Sequence, residues 1–249
     1  MNYVADFETA TWKEDETWVW AWASCEINFL KLEYGNSIES FFEWVQSIHN
    51  PIIRFHNLKF DGEFILYYLI NNGYTWIKDR KERKDKTFTT LISDMGQFYE
   101  IEVFFKVGNK KVKKVTFMDS LKVIPISVEE IPKAFKLEEQ KLTLDYKQVR
   151  KENHELTEEE KAYISHDVII VAKALKIMFE EKLDKMTIGS NALNNFKDKI
   201  SKDRFKHYFP TLTKEADNDI RKAYKRWFYL FESYISRKRS RKWCCFRCK

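Results

Sequence analysis

Asp6 and Glu8 are the first residues of this chain whose type and spacing could do chemistry. They lie two apart in Val4–Thr9, a run with the composition of a β-strand, so both carboxylates would point to one face while Ala5 and Phe7 point to the other. Neighbouring like charges repel, and a divalent cation is the usual reason to keep such a pair on a core strand. An edge strand with one solvated face explains the pattern equally well, so further ligands must decide.

Two further carboxylates have surroundings that suit a metal site. Asp61 follows Phe60 at the entry to an apolar helix, where capping by itself would explain it. Asp167 lies four residues after Tyr163 in the longest helical pattern, so the two share one face. Apolar neighbours such as Ile164 favour burial of this face over a solvated pair, and a buried carboxylate needs a partner. Together the four acids offer the oxygen ligands that Mg²⁺ or Mn²⁺ prefers.

The elements that position these side chains follow from the spacing of the apolar residues. Strands are predicted at 17–28 (in a hairpin with the first strand through 13–16), 31–34, 52–55, 88–93, 97–105 and 111–118. Helices are predicted at 37–49, 63–72, 127–135, 157–183 and 191–200, whereas 204–212 is predicted to be irregular. Thr157 and Glu160 have the spacing of a capping box. This order predicts an α/β fold in which helices cover a sheet.

Composition limits the class of protein. No apolar run of the 249 residues reaches membrane-spanning length, and the acidic start does not resemble a signal peptide, so we expect a cytoplasmic protein without membrane contact. The four cysteines do not suggest a disulfide framework. The net charge of +6 arises from Lys225–Lys249, which holds nine Lys/Arg and one Glu. The preceding body is nearly neutral, so net charge says nothing about its partner.

Three motifs together resemble the exonuclease domain of family B DNA polymerases. The family's D-x-E motif matches Asp6–Glu8, its N-x-x-F-D motif matches Asn57–Asp61 and its Y-x-x-x-D motif matches Tyr163–Asp167, in the family's order and spacing. Each motif alone is weak, but the set is specific. The strings F-H-N-L-K-F-D-G-E-F, M-D-S-L-K, K-L-T-L-D-Y and F-P-T-L narrow the resemblance, which extends from residue 2 to about 224, to the protein-primed polymerases of phages and linear plasmids.

The resemblance implies an RNase H-like mixed β-sheet flanked by helices, with the first strand at its centre. Residues 1–187 would form this DEDDy-type 3′–5′ exonuclease domain, and 188–224 would begin the linker to the polymerase region. The implied function is proofreading of single-stranded DNA 3′ ends in DNA replication. The implied protein is a monomer of the host cytoplasm that could also contact the terminal protein primer. A free-standing exonuclease on DNA or RNA, and a non-catalytic fragment that binds DNA or terminal protein, are the alternatives.

The resemblance also implies a role for each polar residue of the site. The tighter of two Mg²⁺ or Mn²⁺ ions would be held by Asp6, Glu8 and Asp167, and the second by Asp61 with Asp6 as the bridge. Tyr163 would orient the attacking water. Lys141 would counter charge on the phosphate, although it could equally be an ordinary surface residue.

A further set would grip the last nucleotides of the strand. Its implied members are Thr9, His56, Asn57, Phe60, Phe64, Ser120 and Leu121. Aromatic faces and small polar groups suit single strands because they bind without reading sequence. For Phe60 and Phe64, at i,i+4 spacing, core packing is at least as good an explanation. His56 is not expected to bind metal, because no second histidine is placed to help.

The chain departs from the family near residue 225, where the family continues with Y-x-G-G-F and the polymerase domains. One codon choice for Lys225–Lys249, read one base later, gives K-G-G-F-T-Y-L-N-P-I-Y-Q-E-K-E-V-G-N-G-V-V-L-D-V and so restores G-G-F. Residues 225–249 are therefore predicted to be an out-of-frame basic tail, and the polymerase active site is not expected in this chain. A genuine basic tail that binds nucleic acid is the alternative.

Overall fold

A computed structural model describes residues 1–10, 17–106, 112–139, 142, 149–151 and 153–223 of the chain. The chain divides into two units, Met1–Ala192 and Leu193–Lys249. The predictions for Lys141, for the turn at 13–16 and for the tail at 225–249 lie outside the described residues. The assignment of 1–187 and 188–224 to separate functional regions stays a prediction.

One mixed sheet is the frame of the first unit. Its strands are β1 (Asn2–Thr9), β2 (Val19–Glu26), β3 (Leu32–Gly35), β4 (Ile52–Phe55), β5 (Thr75–Trp76), β6 (Thr87–Ile92), β7 (Phe98–Phe105) and β8 (Lys113–Asp119). Their spatial order is β3-β2-β1-β4-β8-β7-β6-β5. β4 lies between β1 and β8 and runs parallel to both. β1 forms the predicted hairpin with β2, and β6, β7 and β8 form the predicted antiparallel meander. β1 is third in this order, so its predicted central position is wrong; β4 and β8 lie at the centre.

Helices cover both faces of this sheet or follow it in the chain. They are α1 (Ile38–Ser47), α2 (Leu58–Asn71), α3 (Ile131–Phe135), α4 (Glu158–Glu180), α5 (Ile188–Ile200) and α6 (Lys202–Tyr208). The capping box of Thr157 and Glu160 is confirmed. Pro132 near the start of α3 helps to make this helix shorter than predicted, because proline favours the first turn. No helix within the described ranges is long and apolar enough to cross a membrane.

Two of the helix predictions need correction. α2 begins five residues before its predicted start, so Asp61 lies within the first helical turn and not ahead of it. Residues 204–212 were predicted to be irregular, but α6 occupies most of this segment. The Ser201 side chain accepts a hydrogen bond from the Arg204 N–H and caps α6.

β1 is covered on both faces because its side chains alternate between two cores. Phe7 packs edge-to-face with Phe41 of α1 and Phe55 of β4, with ring centroids 4.8 and 5.0 Å apart. Val4 belongs to the opposite core, which includes Ile164 of α4. Each such buried side chain contributes about 1.5–3 kcal/mol. β1 is an interior strand because it pairs with β2 on one edge and β4 on the other, and packing on both faces buries it.

Candidate active site

The carboxyl ends of the parallel strands meet at one edge of the sheet. Val4 pairs with Arg54, so β4 ends at Phe55 while β1 continues to Thr9. The early end of β4 leaves open space beside the second half of β1. Crevices outside the carboxyl ends of parallel strands are the usual ligand sites of open α/β sheets.

A pocket of about 310 Å³ occupies this space. It is lined by Asp6, Phe7, Glu8, Thr9, His56, Asn57, Phe60, Asp61, Tyr163 and Asp167. All four predicted metal-ligating carboxylates are among these residues, together with the predicted tyrosine. The predicted DNA contacts Phe64, Ser120 and Leu121 are not part of this lining.

Asp6 and Glu8 share the face of β1 that is turned toward α4. Glu8 is buried and Asp6 is partly buried. Their partners across the β1–β2 ladder are Ala23 and Ala21, whose small side chains leave room for α4 to pack on this face. The solvated edge strand is therefore the wrong explanation for this acidic pair.

Asp61 reaches the same pocket from the first turn of α2. The Phe7 N–H, which lies beyond the end of β4, donates to Asp61 Oδ1 at 3.2 Å and ties the helix to β1. Burial, and then the charge of Asp6, raise the pKa of Asp61 well above its ordinary value; Glu8 adds to this, and hydrogen bonds from backbone N–H groups oppose it in part. A cation in the pocket would relieve this unfavourable environment.

Tyr163 and Asp167 complete the pocket from α4. Only 3% of Tyr163 and 5% of Asp167 is exposed, so the alternative of a solvated i,i+4 pair is wrong. The adjacent Ile164 and Val168 are core residues that hold this helix against the sheet. A rigid, packed helix thus presents a hydroxyl and a carboxylate one turn apart.

The donor chemistry of the pocket suits a hard divalent cation, because carboxylate oxygens are its preferred ligands. Within the described ranges, no three His, Cys, Asp or Glu side chains already form a group that could hold a metal ion. Burial and the charge of Asp6 raise the pKa of Asp61, and a bound cation would offset both effects.

His56 and Ser120 connect the ends of β4 and β8. His56 Nε2 lies 2.7 Å from the Ile126 carbonyl oxygen, so it carries a proton and donates to this acceptor. Ser120 Oγ lies 3.0 Å from both His56 Nδ1 and the Phe55 carbonyl oxygen, and its single hydroxyl proton can be donated to only one of them at a time. Ser120 is fully buried, and its contact with Nδ1 helps to fix the orientation of the His56 ring.

Phe60 and Phe64 differ in their surroundings. Phe60 is 49% exposed at the pocket, whereas Phe64 is partly buried against the core between the sheet and α2. Their rings meet edge-to-face with centroids 5.6 Å apart. Core packing therefore accounts for much of Phe64 but does not explain Phe60.

The structure adds one residue that the sequence analysis missed. Asp119, at the end of β8, is 3% exposed. Its Oδ1 accepts hydrogen bonds from the N–H groups of Asn57 and Leu121 at 3.1 and 3.0 Å. An acid directly after a buried strand and directly before Ser120 was the available signal, since Asp often caps the turn that follows it.

Comparison with known proteins finds DNA polymerases. The family model described as DNA polymerase type B, organellar and viral, matches residues 47–225. The DNA polymerase of Bacillus phage Nf is 42% identical over 227 residues, which cover 91% of this chain, and that of Bacillus phage phi29 is 40% identical over the same length. The DNA polymerase of Streptococcus phage Cp-1 is 33% identical over 88% of this chain. The chain spans 38–39% of the length of these relatives.

Solved structures give the same result for the fold. The orthorhombic crystal form of phi29 DNA polymerase matches with a TM-score of 0.81 at 39% identity, over 88% of this chain and 38% of that protein. Phi29 DNA polymerase complexed with single-stranded DNA matches with a TM-score of 0.79, again at 39% identity and the same coverage. The predicted fold, an RNase H-like mixed sheet flanked by helices, is confirmed.

Proposed function

We propose, from the premise that this chain belongs to the organellar and viral type B DNA polymerases, that its first 187 residues form a 3′–5′ proofreading exonuclease. One observation carries the proposal. Four carboxylates from β1, α2 and α4 meet the hydroxyl-bearing Tyr163 in one pocket at the carboxyl ends of parallel strands. Phosphodiester hydrolysis needs this combination of hard-cation ligands and a group that can orient water.

Asp6, Glu8, Asp61 and Asp167 would hold two Mg²⁺ or Mn²⁺ ions. When bound, these ions activate a water molecule and stabilise the charge on the leaving 3′-oxygen. Tyr163 orients the attacking water through its hydroxyl, and its burial on α4 fixes the direction of that group. Asp61 also holds the first turn of α2 against β1 through its bond to the Phe7 N–H.

The proposed substrate is the 3′ end of a single DNA strand. The exposed ring of Phe60 offers a stacking surface for a base, and such stacking tolerates any sequence. His56 and Asn57 add polar groups beside it. The complexes of phi29 DNA polymerase with single-stranded and with primer-template DNA support DNA as the substrate class.

The proposal extends to the protein of which this exonuclease would be a part. Its phage relatives are DNA polymerases, which supports a role in DNA replication in the host cytoplasm. The protein-primed mechanism, the terminal protein as a second partner and the monomeric state are proposed from the motif resemblance. The family match ends at residue 225. We propose that residues after this point are read out of frame. Sequencing the gene tests this: the neighbouring frame downstream must encode polymerase motifs, and their absence there would refute it.

A nuclease assay on the full chain tests the proposed function. A 5′-labelled single-stranded DNA oligonucleotide with Mg²⁺ should shorten from its 3′ end. Asp6→Ala and Asp167→Ala should each lower the rate by at least about a hundredfold, since loss of metal-based charge stabilisation costs several kcal/mol. Glu158→Ala, an exposed acid on α4, should leave the rate unchanged.

The other outcomes separate the alternatives. Equal degradation of an RNA oligonucleotide would favour a free-standing nuclease of broader specificity. DNA binding without cleavage would favour a non-catalytic fragment. Cleavage that survives both the Asp6 and the Asp167 substitution would refute the site assignment.

A further inference from the structure

We infer that Asp119 is a positioning residue for the DNA grip of the candidate site, an inference that rests on the proposed nuclease function. Asp119 does not line the pocket. It acts through Asn57 and His56, which do line it, and through the turn that carries Ser120 and Leu121.

A single carboxylate oxygen joins the two segments that carry these residues. β4 and β8 are parallel neighbours in which Phe55 pairs with Asp119, so the chain leaves both strands at the same level. Asp119 Oδ1 accepts the Asn57 N–H at 3.1 Å and the Leu121 N–H at 3.0 Å. The start of α2 and the turn after β8 are thereby held at a fixed separation.

The backbone at Asn57 shows why this bond matters. Asn57 precedes α2 with φ 87° and ψ 56°, a left-handed conformation that is uncommon outside glycine, although asparagine adopts it more readily than most residues. Its side chain makes no capping hydrogen bond, so it does not stabilise this turn itself. A sparsely populated conformation persists only where its surroundings hold it, and Asp119 supplies the bond to its N–H.

The same link holds His56, the residue before Asn57. Its ring bonds to Ser120 Oγ and to the Ile126 carbonyl oxygen, both of which lie beyond Asp119 in the chain. A shift between the two segments would therefore turn the imidazole as well as the Asn57 side chain. Both residues line the pocket that is proposed to hold the 3′-terminal nucleotides.

Lys122 is the cationic partner of Asp119. Its Nζ lies 3.3 Å from Asp119 Oδ2, donates to Gln97 Oε1 at 2.8 Å, and lies 5.4 Å from the centroid of the Tyr99 ring. This cation compensates the buried charge of Asp119 within the protein. Asp119 thus has a protein cation as its partner, and its role is to orient backbone rather than to bind a metal ion.

Steady-state kinetics of the full chain on a single-stranded DNA oligonucleotide test the inference. Asp119→Ala should raise KM by on the order of tenfold to a hundredfold, because misplacing a grip by about 1 Å has effects of this size. The kcat should change much less, since the metal ligands are untouched. Asp119→Asn should restore most of the lost affinity, because its amide oxygen can still accept both N–H groups.

A raised KM in Asp119→Ala, together with its recovery in Asp119→Asn, distinguishes a positioning role from a purely structural one. A folded Asp119→Ala variant with the KM of the wild-type protein would overturn the inference, as would an Asn variant as impaired as the Ala variant. If the Ala variant does not fold, Asp119→Glu decides. It keeps the charge, but its longer side chain cannot place one oxygen on both N–H groups, so its KM must rise, and a wild-type KM overturns the inference.

A failure of the proposed function would be recognised separately. If the wild-type chain cleaves nothing, the nuclease proposal fails. The same variants are then compared by the Kd for a fluorescent single-stranded oligonucleotide, measured by anisotropy. Weaker binding by the Ala variant with rescue by the Asn variant supports the positioning role, and equal binding by all variants overturns it.

Discussion

Glu160 and Asp61 occupy matched positions in opposite electrostatic surroundings. Each lies in the first turn of a helix packed on the same sheet, Glu160 on α4 and Asp61 on α2, and each is 3% exposed. Around Glu160 are Arg150, whose Nε lies 2.6 Å from Oε1, and His154, whose Nε2 lies 2.8 Å from Oε2. Around Asp61 are the carboxylates of the pocket.

The two pKa values move in opposite directions. Burial would raise the pKa of Glu160, but hydrogen bonds from Arg150, from the Thr157 N–H and from His154 outweigh it and lower the pKa to about 2. For Asp61, burial and the charge of Asp6 act together, so the pKa rises. A buried acid that is paired with a cation of the protein stabilises the fold. Buried acids that lie close to other acids are unfavourable, and a bound metal cation would stabilise them.

Asp61→Asn should give the largest effect and should separate activity from stability. The amide keeps an acceptor for the Phe7 N–H but removes one of the repelling charges, so the free energy of unfolding measured in EDTA should increase. The rate of 3′–5′ cleavage with Mg²⁺ should fall by about a thousandfold, since several kcal/mol of charge stabilisation is lost. Chemical denaturation and the oligonucleotide assay measure the two changes.

Glu160→Gln is the matched control for the effect of Asp61→Asn on stability. It removes a buried carboxylate from an equivalent position, and it should lower stability instead of raising it. A loss of stability in both variants would mean that Asp61 is also a structural anchor, and the contrast between the two sites would fail.

Local spacing identified carboxylates that the fold brings into one pocket, but it did not predict their surroundings. The strand alternation of Asp6 and Glu8, and the i,i+4 spacing of Tyr163 and Asp167, are local and were read from the sequence. The interior position of β1 depends on its pairing with β4, which begins at Ile52, and no local pattern shows it. Spacing alone therefore left the solvated alternatives open, and it was the family resemblance that implied a position for β1 inside the sheet.

Asp119 and the start of α2 also depend on contacts between residues that are far apart in the chain, which local patterns do not show. The Asn57 N–H that Asp119 accepts lies 62 residues away in the chain. The helix begins at Leu58 because this bond and the left-handed Asn57 fix its entry, whereas the apolar pattern pointed to a later start. Glu160 was predicted as part of a capping box, but its ion pair with Arg150 was not, because that partner lies upstream of the helix.

Glu160→Gln should lower the free energy of unfolding by about 3 kcal/mol, because it leaves the buried Arg150 guanidinium without its counter-charge. Glu158→Gln removes an exposed carboxylate in the same turn, which forms an ion pair with the partly exposed Lys161, and this variant should be indistinguishable from the wild-type protein. Urea denaturation of the three chains measures the difference. Equal stability of both variants would show that the Glu160 cluster is not an anchor.

The pH dependence of stability should show the smallest effect, but it distinguishes Glu160 from Asp61 most directly, because the two contributions change with pH in opposite directions. The pKa of Glu160 in the folded chain, about 2, is below its ordinary 4.5, so its stabilising contribution is present above pH 4.5 and is lost as the pH falls toward 2. The pKa of Asp61 is raised above 3.8, so its unfavourable contribution is absent below pH 3.8 and appears as the pH rises. In EDTA, the amount by which Glu160→Gln lowers Tm relative to the wild-type protein should therefore decrease as the pH falls. The amount by which Asp61→Asn raises Tm should increase as the pH rises. Parallel pH profiles for the two variants would mean that both carboxylates have the same kind of partner.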